Sequence, residues 1–292
     1  MLHWGKNNQV LVLCYHNIGD PRKTKHRETN ALTVPPIQFE RQIKLLSKIL
    51  DFITPVEFTA ALEGGPLPPR PALLTFDDGT KGLHDYALHT LSKHHVKSLC
   101  FVAIHHHLAS NPYWWDIADQ REAKNSAGSF SETLERLKYS PDTYIEPKQI
   151  ETGIIPEFLL PMSLTELNTW TAAGQFVASH ANIHRPCSMW HLPEDIDPSL
   201  LKVHFKDSYS PLIAYPYGDL PRSNEEKENI HLELKKAGFR GTFGTHTALA
   251  NLPTASTPPL LAMPRMIVPN FWSNPRLLLR IASLAILPTN NA

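Results

Sequence analysis

The chain has 292 residues, which is enough for one large domain or two small ones, and its 42% hydrophobic content can build a sizeable buried core. Lysine plus arginine and aspartate plus glutamate are equal at 28 each, and no run of five or more like charges occurs, so the composition argues against nucleic acid as a partner. No apolar run approaches the roughly 20 residues that cross a bilayer, so we expect no integral membrane segment.

The compartment is predicted from the cysteines and the N-terminus. Cys14, Cys100 and Cys187 are an odd number and lie far apart, which argues against a disulfide framework. The first eight residues are polar and lead into a short apolar stretch without a cleavage site of small residues. The sequence therefore predicts a protein that stays in the cytoplasm.

Short apolar runs alternate with helical patterns along the chain. Strands are predicted, in order, over residues 11–15, 72–76, 99–104, 176–179, 212–215, 241–244 and 266–268. Helices are predicted over 37–50, 55–62, 81–94, 164–173 and 224–237, with a packed terminal helix over 277–287. Thr54 with Glu57 and Ser163 with Glu166 have the spacing of a capping box at a helix start. This alternation predicts an α/β fold with a parallel sheet, open or closed into a barrel, and a functional site at the C-terminal strand ends.

The segment from about residue 105 to 161 interrupts the alternation. It is polar and rich in Pro, Ser, Lys and Glu, with one possible helix over 131–138, and we interpret it as an insertion in a single domain that spans residues 1–292. Its opening His105-His106-His107 run is predicted to be a solvated loop, because three consecutive side chains point in different directions. Trp114 and Trp115 either stack on a sugar or anchor the insertion.

Two strand ends carry residues suited to metal chemistry. The second predicted strand ends in Asp77-Asp78-Gly79, where one carboxylate can bind a metal while its neighbour faces water or substrate, although such a triplet alone is more typical of a turn. The fourth ends in His180, and His184 follows four residues later; in a helical turn the two face the same way and can share an ion, but they can equally be loop histidines. Together these signals offer a carboxylate and two imidazoles with coordination positions left open. That donor set favours zinc, with iron or cobalt as alternatives.

Two further strand ends add candidates. The fifth predicted strand leaves through Tyr215-Pro216-Tyr217-Gly218, which either walls the same cleft or is a plain turn. The first strand ends next to His16, and histidine is the usual residue for proton transfer near neutral pH.

Three of these motifs resemble those of a known family. Thr75-Phe76-Asp77-Asp78-Gly79, His180-Ala181-Asn182-Ile183-His184-Arg185-Pro186 and Ala214-Tyr215-Pro216-Tyr217-Gly218 resemble, in this order, the first three motifs of the polysaccharide deacetylase (NodB-homology) family. Tyr15-His16-Asn17-Ile18-Gly19 and Met263-Pro264-Arg265 resemble features of one branch of it. The resemblance implies a distorted (β/α) barrel of about seven strands, in agreement with the strands predicted above.

The resemblance also implies a role for each motif residue. The general base would be Asp77, and the metal, for which the donor set favours Zn²⁺, would be bound by Asp78, His180 and His184. The backbone N–H of Tyr217 would help to hold the oxyanion. Because the Leu-x-His motif that supplies the general acid in many relatives has no match near the C-terminus, the resemblance assigns that role to His16.

Two positions depart from the family pattern. Ala214 stands where an arginine usually orients the general base, and Arg265 is the candidate to replace that arginine. Ala181 stands where a serine or threonine usually supports the first metal histidine.

These inferences predict a metal-dependent hydrolase that removes an N-acetyl group from an amino-sugar-containing glycan or glycan precursor, with a carbohydrate as its substrate. One alternative is hydrolysis of a non-sugar amide, imide or formamide by the same chemistry. The other is a catalytically silent relative that binds glycan, which Ala214 and Ala181 suggest.

Overall fold

The computed structural model describes residues 8–24, 27–122, 138–140, 155–253 and 262–286. The strands in these ranges are β1 (Gln9–Tyr15), β2 (Asn17–Ile18), β3 (Thr33–Val34), β4 (Asp51–Phe52), β5 (Pro71–Phe76), β6 (Ser98–Val102), β7 (Phe176–Ser179), β8 (Tyr209–Ala214), β9 (Gly241–Phe243), β10 (Ala250–Asn251) and β11 (Met266–Ile267). The α-helices are α1 (Arg27–Leu32), α2 (Pro36–Leu46), α3 (Pro55–Leu62), α4 (Leu88–Lys93), α5 (Ile104–Ala109), α6 (Trp114–Glu122), α7 (Leu164–Ala172), α8 (Ser199–His204), α9 (Asn224–Ala237) and α10 (Asn274–Ile286). A π-helical turn over Leu83–Ala87 precedes α4.

The main sheet is a curled, mostly parallel sheet. Its strand order is β10-β1-β5-β6-β7-β8-β9, β4 pairs with β5, and β11 pairs with β1. All of these pairings are parallel except that between β1 and β10. Met263 forms a parallel bridge with Phe243 of β9, and β11, which follows at once, pairs with β1. The segment 263–267 therefore lies between β9 and β1, the two end strands of the parallel series. The sheet is therefore a half-barrel surrounded by helices, which confirms the predicted distorted α/β barrel.

Both faces of the sheet are buried, and the pleat of each strand divides its residues between them. Along β1, Val10 and Val12 pack into the inner cluster, while Leu11, Leu13 and Tyr15 pack against the helices on the outer face. Each fully buried side chain of this size stabilises the fold by about 1.5–3 kcal/mol. Residues that continue the inner face beyond a strand end therefore point into the mouth of the half-barrel.

Local signals placed most of the larger elements correctly. All seven predicted strands are present within a few residues, and the helices predicted over 55–62 and 224–237 have those bounds. Capping boxes form at Thr54 and Ser163. Helix α10 packs Leu277 and Ile281 into the outer core, as predicted for a terminal helix. None of the helices within the described ranges is both long and apolar enough to cross a membrane.

The insertion lies between β6 and β7 and contributes helices to the site. The prediction of a solvated loop at His105-His106-His107 is wrong: these residues form part of α5, and His107 is buried, with Nδ1 at 2.8 Å from the Met162 carbonyl oxygen. Helix α6 carries both tryptophans. Of the helix considered over 131–138, only residue 138 falls within the described residues.

Candidate active site

One cleft of about 350 Å³ opens at the C-terminal ends of the parallel strands. Every site residue named from the sequence lines it: His16, Asp77, Asp78, His180, His184 and Tyr217. They follow four different strands, and they converge because parallel strands of one sheet present their C-terminal ends at the same edge.

Asp78, His180 and His184 form a compact donor group. Asp78 Oδ1 lies 3.1 Å from His184 Nε2 and 3.7 Å from His180 Nε2, and one ligand atom from each residue lies within 4.8 Å of the others. Ligand atoms bound to one tetrahedral zinc through bonds of about 2.1 Å are ~3.4 Å apart, and the observed distances bracket that separation. The donor set and its spacing therefore fit a small divalent ion.

His180 is oriented for metal binding by its second nitrogen. Its Nδ1 lies 2.9 Å from the Ala214 carbonyl oxygen, which can only accept a hydrogen bond, so Nδ1 carries the proton and the Nε2 lone pair faces Asp78. Burial lowers the pKa of His180 to about 4, against the opposing effect of the Asp77 charge. The imidazole is consequently neutral near pH 7, as a metal ligand must be.

The backbone at the site adopts conformations that residues other than glycine rarely adopt. Asp78, Ala181, His184 and Tyr217 have φ angles of +70°, +54°, +58° and +59°. The predicted helical turn from His180 to His184 is therefore wrong, because left-handed residues interrupt it, but the two imidazole centroids are still only 4.5 Å apart. Such strained positions cluster at functional sites, where the surrounding fold imposes them.

Aromatic residues surround His184. The rings of Tyr113, Trp115 and Tyr217 lie at centroid distances of 5.5, 4.7 and 4.6 Å from its imidazole. Tyr113 donates a 2.6 Å hydrogen bond to the backbone carbonyl of Asp78, and Trp114 donates one of 2.7 Å from Nε1 to the hydroxyl of Tyr217. The two tryptophans thus anchor the insertion against the site, and both also line the cleft. Sequence reasoning missed Tyr113, which has no motif around it.

Asp77 is held by a buried arginine from the other end of the chain. Arg265 Nη1 and Nη2 donate to Asp77 Oδ1 and Oδ2 at 2.6 and 2.8 Å, and Arg265 Nε donates to the Gly244 carbonyl at 2.9 Å. The guanidinium also packs over the rings of Phe101 and Phe243. Arg265 therefore makes the contact with the acidic residue that the missing arginine at position 214 was expected to make.

This ion pair decides the charge of Asp77. Burial alone would raise the pKa of Asp77, but the positive charge of Arg265 outweighs it and holds the pKa below its ordinary value. Asp77 is therefore ionised at neutral pH.

His16 and Cys14 both lie close to Asp77 Oδ2. His16 Nε2 is 3.8 Å from Asp77 Oδ2, and the His16 side chain is 14% exposed to the cleft. Cys14 Sγ lies 3.6 Å from the same oxygen and 4.0 Å from His16 Nδ1. Sequence reasoning missed Cys14, although its alternation with Val12 and His16 along β1 was a usable signal.

The chain belongs to the polysaccharide deacetylase family, because the sequence model of that family matches residues 64–242. Comparison with curated protein sequences gave no match.

Solved deacetylase structures share the fold. The deacetylase PplD of Streptococcus pyogenes, in complex with acetate, is 17% identical over 94% of this chain and 99% of its own, with a TM-score of 0.64. The polysaccharide deacetylase BC0361 of Bacillus cereus is 18% identical over 94% of this chain and 69% of its own, with a TM-score of 0.62. IcaB of Ammonifex degensii is 20% identical over 97% of this chain and 99% of its own, with a TM-score of 0.60.

Proposed function

We propose that this protein is a metal-dependent hydrolase that removes the N-acetyl group from an amino-sugar-containing glycan or glycan precursor. The observation that carries the proposal is the presence, in one cleft, of the Asp78–His180–His184 donor group and of the Asp77 carboxylate paired with Arg265. Membership of the polysaccharide deacetylase family supports the reaction class.

The donor group supplies the electrophilic part of the chemistry. Asp78, His180 and His184 would hold the ion, and a divalent ion such as Zn²⁺, when bound, polarises the acetamide carbonyl and makes a neighbouring water more acidic. The backbone N–H of Tyr217, at the cleft wall, would donate to the oxyanion that develops on the carbonyl oxygen.

Two side chains would move the protons. Asp77 Oδ2 faces the space between His16 and His180, at 3.8 Å from the Nε2 atom of each, so it can accept a proton from the attacking water. Arg265 keeps that carboxylate ionised and fixes its orientation. His16 Nε2 would then protonate the departing nitrogen, and the products are acetate and a free amino sugar.

The cleft walls favour a sugar as the substrate. Trp114, Trp115 and Tyr217 line one side, and aromatic faces of this kind pack well against the apolar face of a sugar ring. The silent-relative alternative loses its main motivation, because Arg265 provides the guanidinium that Ala214 lacks. Hydrolysis of a non-sugar amide is tested by including simple amides among the substrates.

The boundaries and location of the protein remain predictions. We propose that residues 1–292 act as one catalytic unit, and the shared fold with deacetylases over 94% of the chain supports this. The cytoplasmic location is a prediction that subcellular fractionation tests.

The proposal is tested by metal analysis together with acetate release from N-acetylated sugars, nucleotide sugars, short oligomers and simple amides. We expect stoichiometric metal and acetate release in the wild type, metal without turnover in Asp77→Asn, and neither in His180→Ala. His204→Ala, on the exposed face of α8, is the matched histidine control and should behave as the wild type. Turnover in Asp77→Asn would refute the role of Asp77, and full metal content in His180→Ala would refute the ligand group.

A further inference from the structure

We propose that Cys14, His16 and Asp77 form a second, weaker site for a thiophilic divalent ion beside the Asp78–His180–His184 group, and that an ion bound there inhibits the enzyme. The binding itself is independent of the proposed function. The inhibition rests on that function, because it concerns the roles given to His16 and Asp77.

The three side chains already approach the spacing of metal ligands. Cys14 Sγ lies 3.6 Å from Asp77 Oδ2, His16 Nε2 lies 3.8 Å from the same oxygen, and one ligand atom from each residue lies within 4.8 Å of the others. A sulfur and a nitrogen or oxygen bound to one tetrahedral zinc, through bonds of about 2.3 and 2.1 Å, are ~3.5 Å apart. Small side-chain movements are therefore sufficient to enclose an ion.

The fold brings the group together through the pleat of β1 and its pairing with β5. Cys14 is on the inner face of β1, and His16 continues that face just beyond the strand end. The backbone N–H of Asp77 donates to the Tyr15 carbonyl at 3.0 Å, which holds Asp77 beside both residues. Cys14 is fully buried, whereas His16 lines the cleft, so an ion would enter from the cleft past His16.

Charge explains why this second site should be weak. Asp77 and Asp78 together with Arg265 leave a net charge of −1, and an ion in the Asp78–His180–His184 group reverses that sign. A second ion therefore binds only if it can displace the Cys14 proton, which leaves to solvent as the metal–sulfur bond forms. Asp77 Oδ2 accepts from Arg265 Nη2 and from the Cys14 thiol, so loss of the thiol proton leaves one lone pair of this oxygen for the ion. The site should consequently select Cd²⁺ or excess Zn²⁺ and exclude Mg²⁺ and Ca²⁺, which do not favour thiolate.

An ion at this position would stop proton transfer. It would occupy the Asp77 carboxylate and the His16 imidazole, the two groups assigned to accept and to deliver protons. We therefore expect inhibition by excess thiophilic metal that depends on Cys14, a residue with no part in the proposed reaction.

Ultraviolet absorbance of the cadmium complex tests the site directly. Protein loaded with one equivalent of Zn²⁺ is titrated with Cd²⁺, and the thiolate-to-cadmium charge-transfer band is followed. The wild type and Cys187→Ala, which removes a buried thiol from a separate cluster, should develop the band, whereas Cys14→Ala and the near-isosteric Cys14→Ser should not. Absence of the band in the wild type, or its persistence in both Cys14 variants, would overturn the proposal.

Inhibition is measured separately, as acetate release against increasing Zn²⁺, with each variant normalised to its own rate at one equivalent. We expect Cys14→Ser to raise the inhibition constant by about tenfold or more, since even loss of an outer-shell partner costs 10–100-fold in metal affinity. An unchanged constant in Cys14→Ser would overturn the inhibitory role. If no substrate releases acetate, the proposed function fails, while the cadmium titration still decides whether the site exists.

Discussion

Replacing Arg265 with glutamine is expected to destabilise the protein most strongly at neutral pH, because it leaves the Asp77 carboxylate buried without a counter-ion. Arg265 is fully buried, Asp77 is 2% exposed, and the two charges share hydrogen bonds of 2.6 and 2.8 Å. Removing one partner from such a pair costs about 3–5 kcal/mol of unfolding free energy. For 292 residues, whose unfolding entropy is about 0.6 kcal/mol/K, that corresponds to a fall of roughly 5–8 °C in melting temperature.

The pH dependence has a definite sign. In the wild type Arg265 lowers the pKa of Asp77, so the pair stabilises the fold above the unfolded-state pKa of about 3.9 and loses that contribution as the pH falls through the folded-state value. Without Arg265, burial dominates and raises the pKa of Asp77 above its ordinary range. The deficit of Arg265→Gln should therefore shrink as the pH falls from neutral towards about 4, because in this range the buried Asp77 of the folded variant takes up a proton while the unfolded chain stays largely ionised.

The assay is urea unfolding, measured from neutral pH into the acid range. It compares the wild type with Arg265→Gln, Asp77→Asn and the double variant. The double variant should recover part of the lost stability, because it buries no unpaired charge. Wild-type stability in Arg265→Gln, or a deficit that does not change with pH, would refute the argument.

Three further predictions concern other parts of the site and its scaffold. His184→Ala should lose the bound divalent ion, measured by elemental analysis after dialysis; full occupancy would contradict the ligand assignment. Gly79→Ala should lower stability by about 1–3 kcal/mol, because φ at Gly79 is +64° and an added Cβ would lie 2.7 Å from Val102 Cγ1; an unchanged thermal transition would refute this. Ser163→Ala breaks the capping box with Glu166 and should lower the unfolding free energy, measured by thermal unfolding, by about 1 kcal/mol. The rate of acetate release per folded molecule should not change; a lower rate would show that the cap also shapes the site.

The chemistry of the site could largely be predicted because its residues lie at strand ends. Asp77 and Asp78 follow β5 directly, and His180 follows β7, so the rule that parallel strands present their C-terminal ends at one edge was enough to bring them together. The backbone between the two histidines was not predictable in the same way. Ala181 and His184 are left-handed, and no local preference of alanine or histidine favours that conformation.

Residues from distant segments show the limit of sequence reasoning. Arg265 was a candidate by motif, but its pairing with Asp77, 188 residues away, depends on the segment 263–267 passing between the two ends of the parallel series. Tyr113 reaches the site through the insertion and Cys14 through the pairing of β1 with β5, so their contacts there depend on the tertiary structure.

By itself the sequence determined the class of fold, the position of its larger strands and helices, and the residue types that can bind a metal and move protons. These follow from hydrophobic periodicity, capping residues and the chemistry of carboxylates and imidazoles, all of which are local. Only the tertiary structure decided which arginine neutralises Asp77, which aromatic rings surround His184, and that a thiol lies beside the Asp77 carboxylate. Those contacts join segments far apart in the chain, and they depend on sheet curvature and side-chain packing, which no short stretch of sequence encodes.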